Sequence, residues 1–285
     1  MSTSGAPGPW PYLAGATVQG RDHRACGREN QDAFRTATTA GGRAQIMAIA
    51  DGAGSQPRSA LGAQIAVDAA CQVLAATWTG PATTAGWLSW LQAVRPLVIG
   101  QYLRTAVAAT GPGNGNGNGN GNGNDPSSAV AELAATLTAA VICPPWAGFL
   151  AVGDCFGAVL TSGTAERCHL VLPPDSRTEF TTFLSSADAA ARMRSFVLWD
   201  PELSGVMLAT DGCAALALDH PAQRGLAVTA GPQPAAGFFV GLASAVRAAS
   251  GDAGPIHDLL SSSEADRCAD DLTVVCALRE TGPCR

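Results

Sequence analysis

Four apolar runs in this chain end or begin at an aspartate. Residues 46–50 run into Asp51-Gly52, 149–153 into Asp154, and 206–210 into Asp211-Gly212, while Asp270-Asp271 opens 272–277. A fifth, Asp32, directly precedes a strand-like run in Arg-Glu-Asn-Gln-Asp-Ala-Phe. Taken singly, each reads as turn or cap chemistry, because Asp-Gly is an ordinary turn dipeptide and Asp caps helices. Five together read differently. Core strands lie side by side, so carboxylates at their ends can converge on one point. Converging carboxylates repel one another and resist ionisation unless a cation compensates.

Ligand type then selects the metal. All-oxygen sites favour Mg²⁺ or Mn²⁺, whereas zinc and iron sites recruit His or Cys. The four histidines (His23, His169, His220, His257) show no H-x-x-x-H spacing, and the nine cysteines show no C-x-x-C. Zinc sites and disulfide frameworks are both unsupported. Hard cations held by a few carboxylates and several waters suit phosphate chemistry. Two metals about 3.5–4 Å apart can share a hydroxide that attacks phosphorus in line.

Composition narrows the field from the other side. The chain has 285 residues, a net charge of −6, and 17 basic residues that are all arginine. Without lysine there is no Walker A loop, no kinase-type strand lysine and no Schiff-base chemistry. Sparse, acidic-leaning charge argues against nucleic-acid binding. The most apolar stretch, 129–152, is interrupted by Glu132 and Pro144-Pro145, which argues against a membrane span. Residues 1–10 lack the basic-then-apolar pattern of a secretory signal. A cytoplasmic, monomeric protein is the expectation.

The elements that must position the aspartates follow from periodicity. Short strands are expected at 12–19, 33–39 and 45–50, with a polar loop over 20–31. Helices are expected over 59–78 and 87–109, then closely spaced strands at 137–143, 148–152, 157–161 and 169–172. Further strands at 194–198, 206–209 and 272–278 flank a helix at 235–249. That order gives an α+β sandwich rather than βαβ units. Residues 113–124 are a strict Gly-Asn repeat that buries nothing, so 111–126 reads as a disordered insertion in a single domain spanning 1–285. Trp87, Trp90, Trp146 and Trp199 fall within apolar patterns and are expected in the core.

With these motifs in order, the chain resembles the PPM, or type 2C, family of metal-dependent serine/threonine protein phosphatases. Asn30-Gln31-Asp32-Ala33-Phe34 is similar to the first family motif and Ala50-Asp51-Gly52-Ala53-Gly54-Ser55 to the second. Gly153-Asp154 is similar to its Gly-Asp motif, Thr210-Asp211-Gly212 to its Ser/Thr-Asp-Gly, and Asp270-Asp271-Leu272-Thr273 to its Asp-Asn-x-Thr ending. The resemblance implies a four-layer αββα sandwich of two mainly antiparallel sheets flanked by helices. It also implies two Mn²⁺ or Mg²⁺ ions, with a third possible, and a phosphoprotein substrate. Asp51 would bridge the metals with help from the Gly52 carbonyl. Asp32 would act on one metal, Asp211 and Asp270 would hold the other, and Asp154 would take an additional, looser one.

Three departures qualify the resemblance. Arg28 lies four residues before Asp32, where the family's phosphate-binding Arg lies five before. Gln31 stands where many members have Glu, and Ala53 where many eukaryotic members have a His thought to act as general acid. His23, Gly27 and the Asn-Gln-Asp run resemble a bacterial subgroup. Arg28 is the leading phosphate ligand, since a guanidinium can grip two phosphate oxygens, with Arg24 and Arg58 as fallbacks. His23 can protonate the leaving oxygen, because imidazole titrates near neutral pH. Asp271 reads as a cap on the last strand. The competing reading is a catalytically weak or inactive member that binds phosphoproteins, motivated by Ala53 and the shifted Arg28.

Overall fold

The computed structural model describes residues 10–110, 126–175 and 181–280. The Gly-Asn repeat over 113–124 lies outside the described residues, while Pro126, the last residue of the expected insertion, begins a short helix. The chain opens with β1 (Tyr12–Val18), the short helix α1 (Arg21–Cys26), β2 (Asp32–Thr38) and β3 (Gln45–Asp51). Two long helices follow, α2 (Ser59–Thr77) and α3 (Thr84–Thr110), then the short α4 (Pro126–Ala131). Next come β4 (Leu137–Cys143), β5 (Trp146–Val152), β6 (Phe156–Thr161) and β7 (Arg167–Leu172). They are succeeded by α5 (Ala189–Arg192), β8 (Arg194–Trp199), β9 (Leu203–Ala209) and α6 (Ala214–Ala217). The paired short strands β10 (Leu218–Asp219) and β11 (Gln233–Pro234) precede α7 (Ala236–Ala248), α8 (Gly254–Leu260) and β12 (Leu272–Leu278).

Two five-stranded sheets, ordered β2-β3-β4-β5-β8 and β1-β12-β9-β6-β7, are antiparallel throughout. Three apolar clusters show how they stack. One lies between α2/α3 and the first sheet, around Ile46, Leu74, Trp87 and Leu150. A second joins the two sheets through Met47, Ile49, Phe149, Val206 and Val275. The third packs α7 and α8 on the outer face of the second sheet through Phe239, Val246 and Ile256. Alternate residues of β3 serve different clusters: Ile46 and Ala48 face the helices, Met47 and Ile49 the other sheet. Strands buried on both faces read as continuous apolar runs, which is why 46–50 shows no alternation. The αββα sandwich expected from the motifs is therefore the observed architecture.

Differences from the expectation are local. The segment 20–31 is not all loop, because residues 21–26 form α1, closed by Gly27 in the left-handed conformation. Helix α3 starts earlier, at Thr84, and continues through Pro96. Trp87 and Trp90 are buried, and with Trp78 they make edge-to-face contacts that join α2 to α3. Trp199, expected in the core, is 56% exposed because β8 is an edge strand. By length and composition α2 is apolar enough to cross a membrane, and half of that stretch is buried in the sandwich. The apolar stretch 129–152 contains the end of α4 and the β4–β5 hairpin.

Antiparallel pairing carries the aspartates to one end of the sandwich. Asp32, at the start of β2, is the register partner of Asp51, at the end of β3. The start of β4 pairs with the end of β5, Leu137 with Val152, just before Gly153-Asp154. In the second sheet Ala209, the last residue of β9, pairs with Val274 near the start of β12. Asp211 and Asp270-Asp271 thus emerge at the same end.

Candidate active site

The carboxylates of Asp51, Asp154 and Asp211 converge, each offering an oxygen within 4.8 Å of the others. They come from three strand ends, two in one sheet and one in the other. The chain around Asp51 is fixed by Thr136, whose hydroxyl accepts from the Asp51 N–H at 2.9 Å. Gly52 beside it donates its N–H to the Gln31 carbonyl at 3.0 Å. A Cβ on Gly52 would lie 2.6 Å from the Ser59 carbonyl oxygen, so only glycine lets this turn meet the first turn of α2.

Asp154 shows what the cluster lacks. Its Oδ2 accepts from Thr181 Oγ1 at 2.8 Å, while its buried Oδ1 has no hydrogen-bond partner among the described residues. A buried acceptor without a donor is costly. Burial raises Asp51 well above the carboxylate range, and the charges of Asp32, Asp211, Asp270 and Asp154 add to it. Asp211 is pushed up to about 7 by burial and by Asp154 and Asp270. Crowded carboxylates with an orphaned oxygen form a set that could hold a hard divalent cation.

Asp32 sits slightly apart. It is 8% exposed, and its Oδ2 accepts from Thr210 Oγ1 and Thr273 Oγ1, both at 2.7 Å. Burial pushes it up to about 8 against those two hydroxyl bonds, with Asp271 and Asp211 adding repulsion. Reasoning from the aspartates alone misses this threonine pair. A signal is present all the same: Thr210 directly follows the apolar run of β9, and Thr273 is the one polar residue within the run of β12, each within two residues of an aspartate. Thr136 likewise precedes an apolar strand.

Asp270 does not join the Asp51–Asp154–Asp211 trio. Its carboxylate groups with His23 and Asp271, is half exposed, and accepts the Asp271 N–H at 2.9 Å. The resemblance pairs it with Asp211. The structure brings Asp211 nearer Asp154, although the Asp270 charge still acts on both Asp51 and Asp211. Asp271, read as a cap, is buried and accepts three hydrogen bonds: Gly20 N at 2.7 Å, His23 Nδ1 at 2.9 Å and Gln31 N at 2.6 Å.

The cationic candidates separate cleanly. Arg28, on the connection between β1 and β2, donates Nη1 to the Gly54 carbonyl at 2.9 Å, three residues beyond Asp51. Arg24 is tied to Asp266 and the Gln19 carbonyl, and Arg58 to the Ala109 carbonyl. Neither fallback is aimed at the carboxylates. His23 is largely buried, with Nδ1 committed to Asp271. Buried thiols do not compete for this role: Cys155, 3.3 Å from Thr136 Oγ1, is held protonated by burial and by the nearby Asp51, Asp154 and Asp211 charges.

No curated protein matches the sequence. Among solved structures, the serine/threonine phosphatase Stp1 from Staphylococcus aureus superposes with a TM-score of 0.61 at 12% identity, covering 99% of this chain and 100% of that one. The serine/threonine phosphatase of S. agalactiae gives 0.58 at 14% identity, over 94% and 99%. PppA, a regulatory component of the type VI secretion system in Pseudomonas aeruginosa, gives 0.55 at 15%, over 94% and 97%. At such identities these likenesses speak for the fold. The family model for protein phosphatase 2C matches residues 19–253, a span that contains His23, Arg28, Asp32, Asp51, Asp154 and Asp211 and stops short of Asp270. Most of the chain is thus matched, and the chain belongs to the protein phosphatase 2C family.

Proposed function

We propose that this protein is a Mn²⁺- or Mg²⁺-dependent phosphatase that hydrolyses phosphoserine and phosphothreonine on proteins. The observation that carries the reading is the convergence of Asp51, Asp154 and Asp211, one with an orphaned buried oxygen, beside a loop whose arginine reaches Gly54. Family membership and the serine/threonine phosphatases among the structural relatives support the same substrate class.

Asp51, Asp154 and Asp211 would hold divalent cations, with Asp32 and Asp270 contributing from either side. Bound cations supply positive charge for the phosphoryl oxygens and a water acidic enough to act as nucleophile near neutral pH. Arg28 keeps one N–H on the Gly54 carbonyl, which leaves other guanidinium donors for two phosphate oxygens. His23 presents Nδ1 to Asp271, so as imidazolium it would give the proton for the leaving serine or threonine oxygen from Nε2–H and keep the Nδ1–H on Asp271. Thr210, just past the end of β9, and Thr273 in β12 hold Asp32 in place from the opposite sheet.

The test is hydrolysis of phosphoserine and phosphothreonine peptides and of p-nitrophenyl phosphate by the full chain, with Mn²⁺, with Mg²⁺ and with EDTA. Hydrolysis that EDTA abolishes and Asp51→Asn removes is the expected result. Metal-independent turnover, or full activity in Asp51→Asn, would overturn the reading.

A further inference from the structure

We propose that Asp271 is a positioning residue whose buried carboxylate holds the β1–β2 connection at three points and so sets where Arg28 meets the phosphate. The inference rests on the phosphatase reading above and extends it to a residue that makes no contact with substrate.

The geometry is specific. One oxygen, Oδ1, takes the main-chain N–H of Gly20, where the connection leaves β1. The other, Oδ2, takes both His23 Nδ1 in α1 and the N–H of Gln31, just before β2. Start, middle and end of the segment therefore meet on one side chain that is 1% exposed. Gly20 lies so close to the β12 approach that a Cβ there would come 2.2 Å from the Asp270 carbonyl carbon. Arg28 sits inside the span that Oδ2 closes between His23 and Gln31. Its own N–H bonds the His23 carbonyl at 3.0 Å, and its carbonyl accepts from Gln19 Nε2. The root of the guanidinium is thereby fixed by bonds that lead back to the segment Asp271 clamps.

Three N–H donors converging on one side chain require a carboxylate. An asparagine carries a single acceptor oxygen and an NH₂ group. Placed with its oxygen toward Gln31 and His23, it sets the NH₂ against the Gly20 N–H. Turned over, it sets the NH₂ against the Gln31 N–H. Either way a buried main-chain donor loses its partner. A strand cap needs only one of these bonds; the other two act on the loop.

A double-mutant cycle read through Mn²⁺-dependent hydrolysis of p-nitrophenyl phosphate tests this. Asp271→Asn is expected to raise KM by about tenfold while the Mn²⁺ concentration for half-activation shifts by less than about threefold. In an Arg28→Ala background the same substitution should change KM by less than about twofold. Equal penalties in both backgrounds, or an effect confined to Mn²⁺ activation, would overturn the inference. A wild-type protein with no Mn²⁺-dependent hydrolysis overturns the phosphatase reading instead. The clamp itself is then read from nitrogen-15 NMR of the wild-type chain, which also serves if Asp271→Asn fails to fold. Neutral His23 must carry its proton on Nδ1, in slow exchange; the Nε2–H tautomer would overturn the clamp.

Discussion

Asp154 and Asp271 stand at the same end of the sandwich and could hardly be more different in what surrounds them. Asp271 is the more deeply buried, yet its oxygens accept three N–H donors. Asp154 keeps a buried oxygen with no donor among the described residues, and its carboxylate offers an oxygen within 4.8 Å of one from each of two further carboxylates. Burial alone would nominate Asp271 as the metal ligand. Hydrogen-bond satisfaction reverses the choice: a carboxylate whose oxygens are already taken by N–H donors has little left for a cation, and one facing other carboxylates has little else to bind. One half of the site is finished by the protein, and the other could be completed by an ion.

The contrast predicts opposite signs for two substitutions, and the largest effect belongs to the unfinished half. Asp51→Asn should lower Mn²⁺-dependent turnover on the order of a thousandfold, because it removes a charge from the proposed cation site. In EDTA at about pH 8, where the carboxylates of the free protein repel, the same variant should melt higher than wild type. Asp271→Leu should do the reverse to the metal-free fold, costing about 1–3 kcal/mol by leaving buried N–H groups unpaired. Melting curves in EDTA decide it. If both variants melt lower by similar amounts, the distinction between finished and unfinished carboxylates fails.

A pH series sharpens the same contrast. Folding raises Asp32 to about 8 and Asp211 to about 7, and Asp51 well above its usual range, all primarily through burial. Groups whose folded pKa exceeds the unfolded value favour the fold at low pH, and that contribution is lost as pH rises through the folded pKa. Metal-free protein should therefore lose stability between about pH 5 and 8. Mn²⁺ would bind the ionised carboxylates, so the stabilisation it gives should grow over the same window, reaching about 2.7 kcal/mol when free metal is a hundredfold above Kd. Thermal melts across that range, with and without Mn²⁺, make the measurement. An Mn²⁺ effect independent of pH would break the argument.

How much of this is legible in the sequence follows the same division. The strand ends and their aspartates can be read because each apolar run stops where the sheet stops, and antiparallel pairing then brings the ends together. The sandwich and the places of Asp32, Asp51, Asp154 and Asp211 follow from that. Hidden from the sequence are the bonds that depend on side-chain direction across sheets: Thr210 and Thr273 on Asp32, and Asp271 on a segment some 240 residues away in the chain. Helix α1 is unreadable for a related reason. Six polar and small residues carry no apolar stripe, and its anchoring N–H bonds run to the carbonyls of Cys268 and Ala269. Trp199 reads as core because composition cannot tell an edge strand from a central one.

The smallest expected effect is at Asp154, and it tests the comparison most directly. Thr181 donates to Oδ2 and can still do so if the other position becomes an amide nitrogen. Asp154→Asn removes one charge from beside Asp51 and Asp211, both of which it holds up. Those two should ionise at lower pH in the variant and retain a cation between them. At saturating Mn²⁺ the rate should then fall by less than about tenfold, with the metal concentration for half-activation rising more than the rate falls. A loss as large as that of Asp51→Asn would place Asp154 at the heart of the cation site. No change in metal dependence would mean that its orphaned oxygen is completed by water alone.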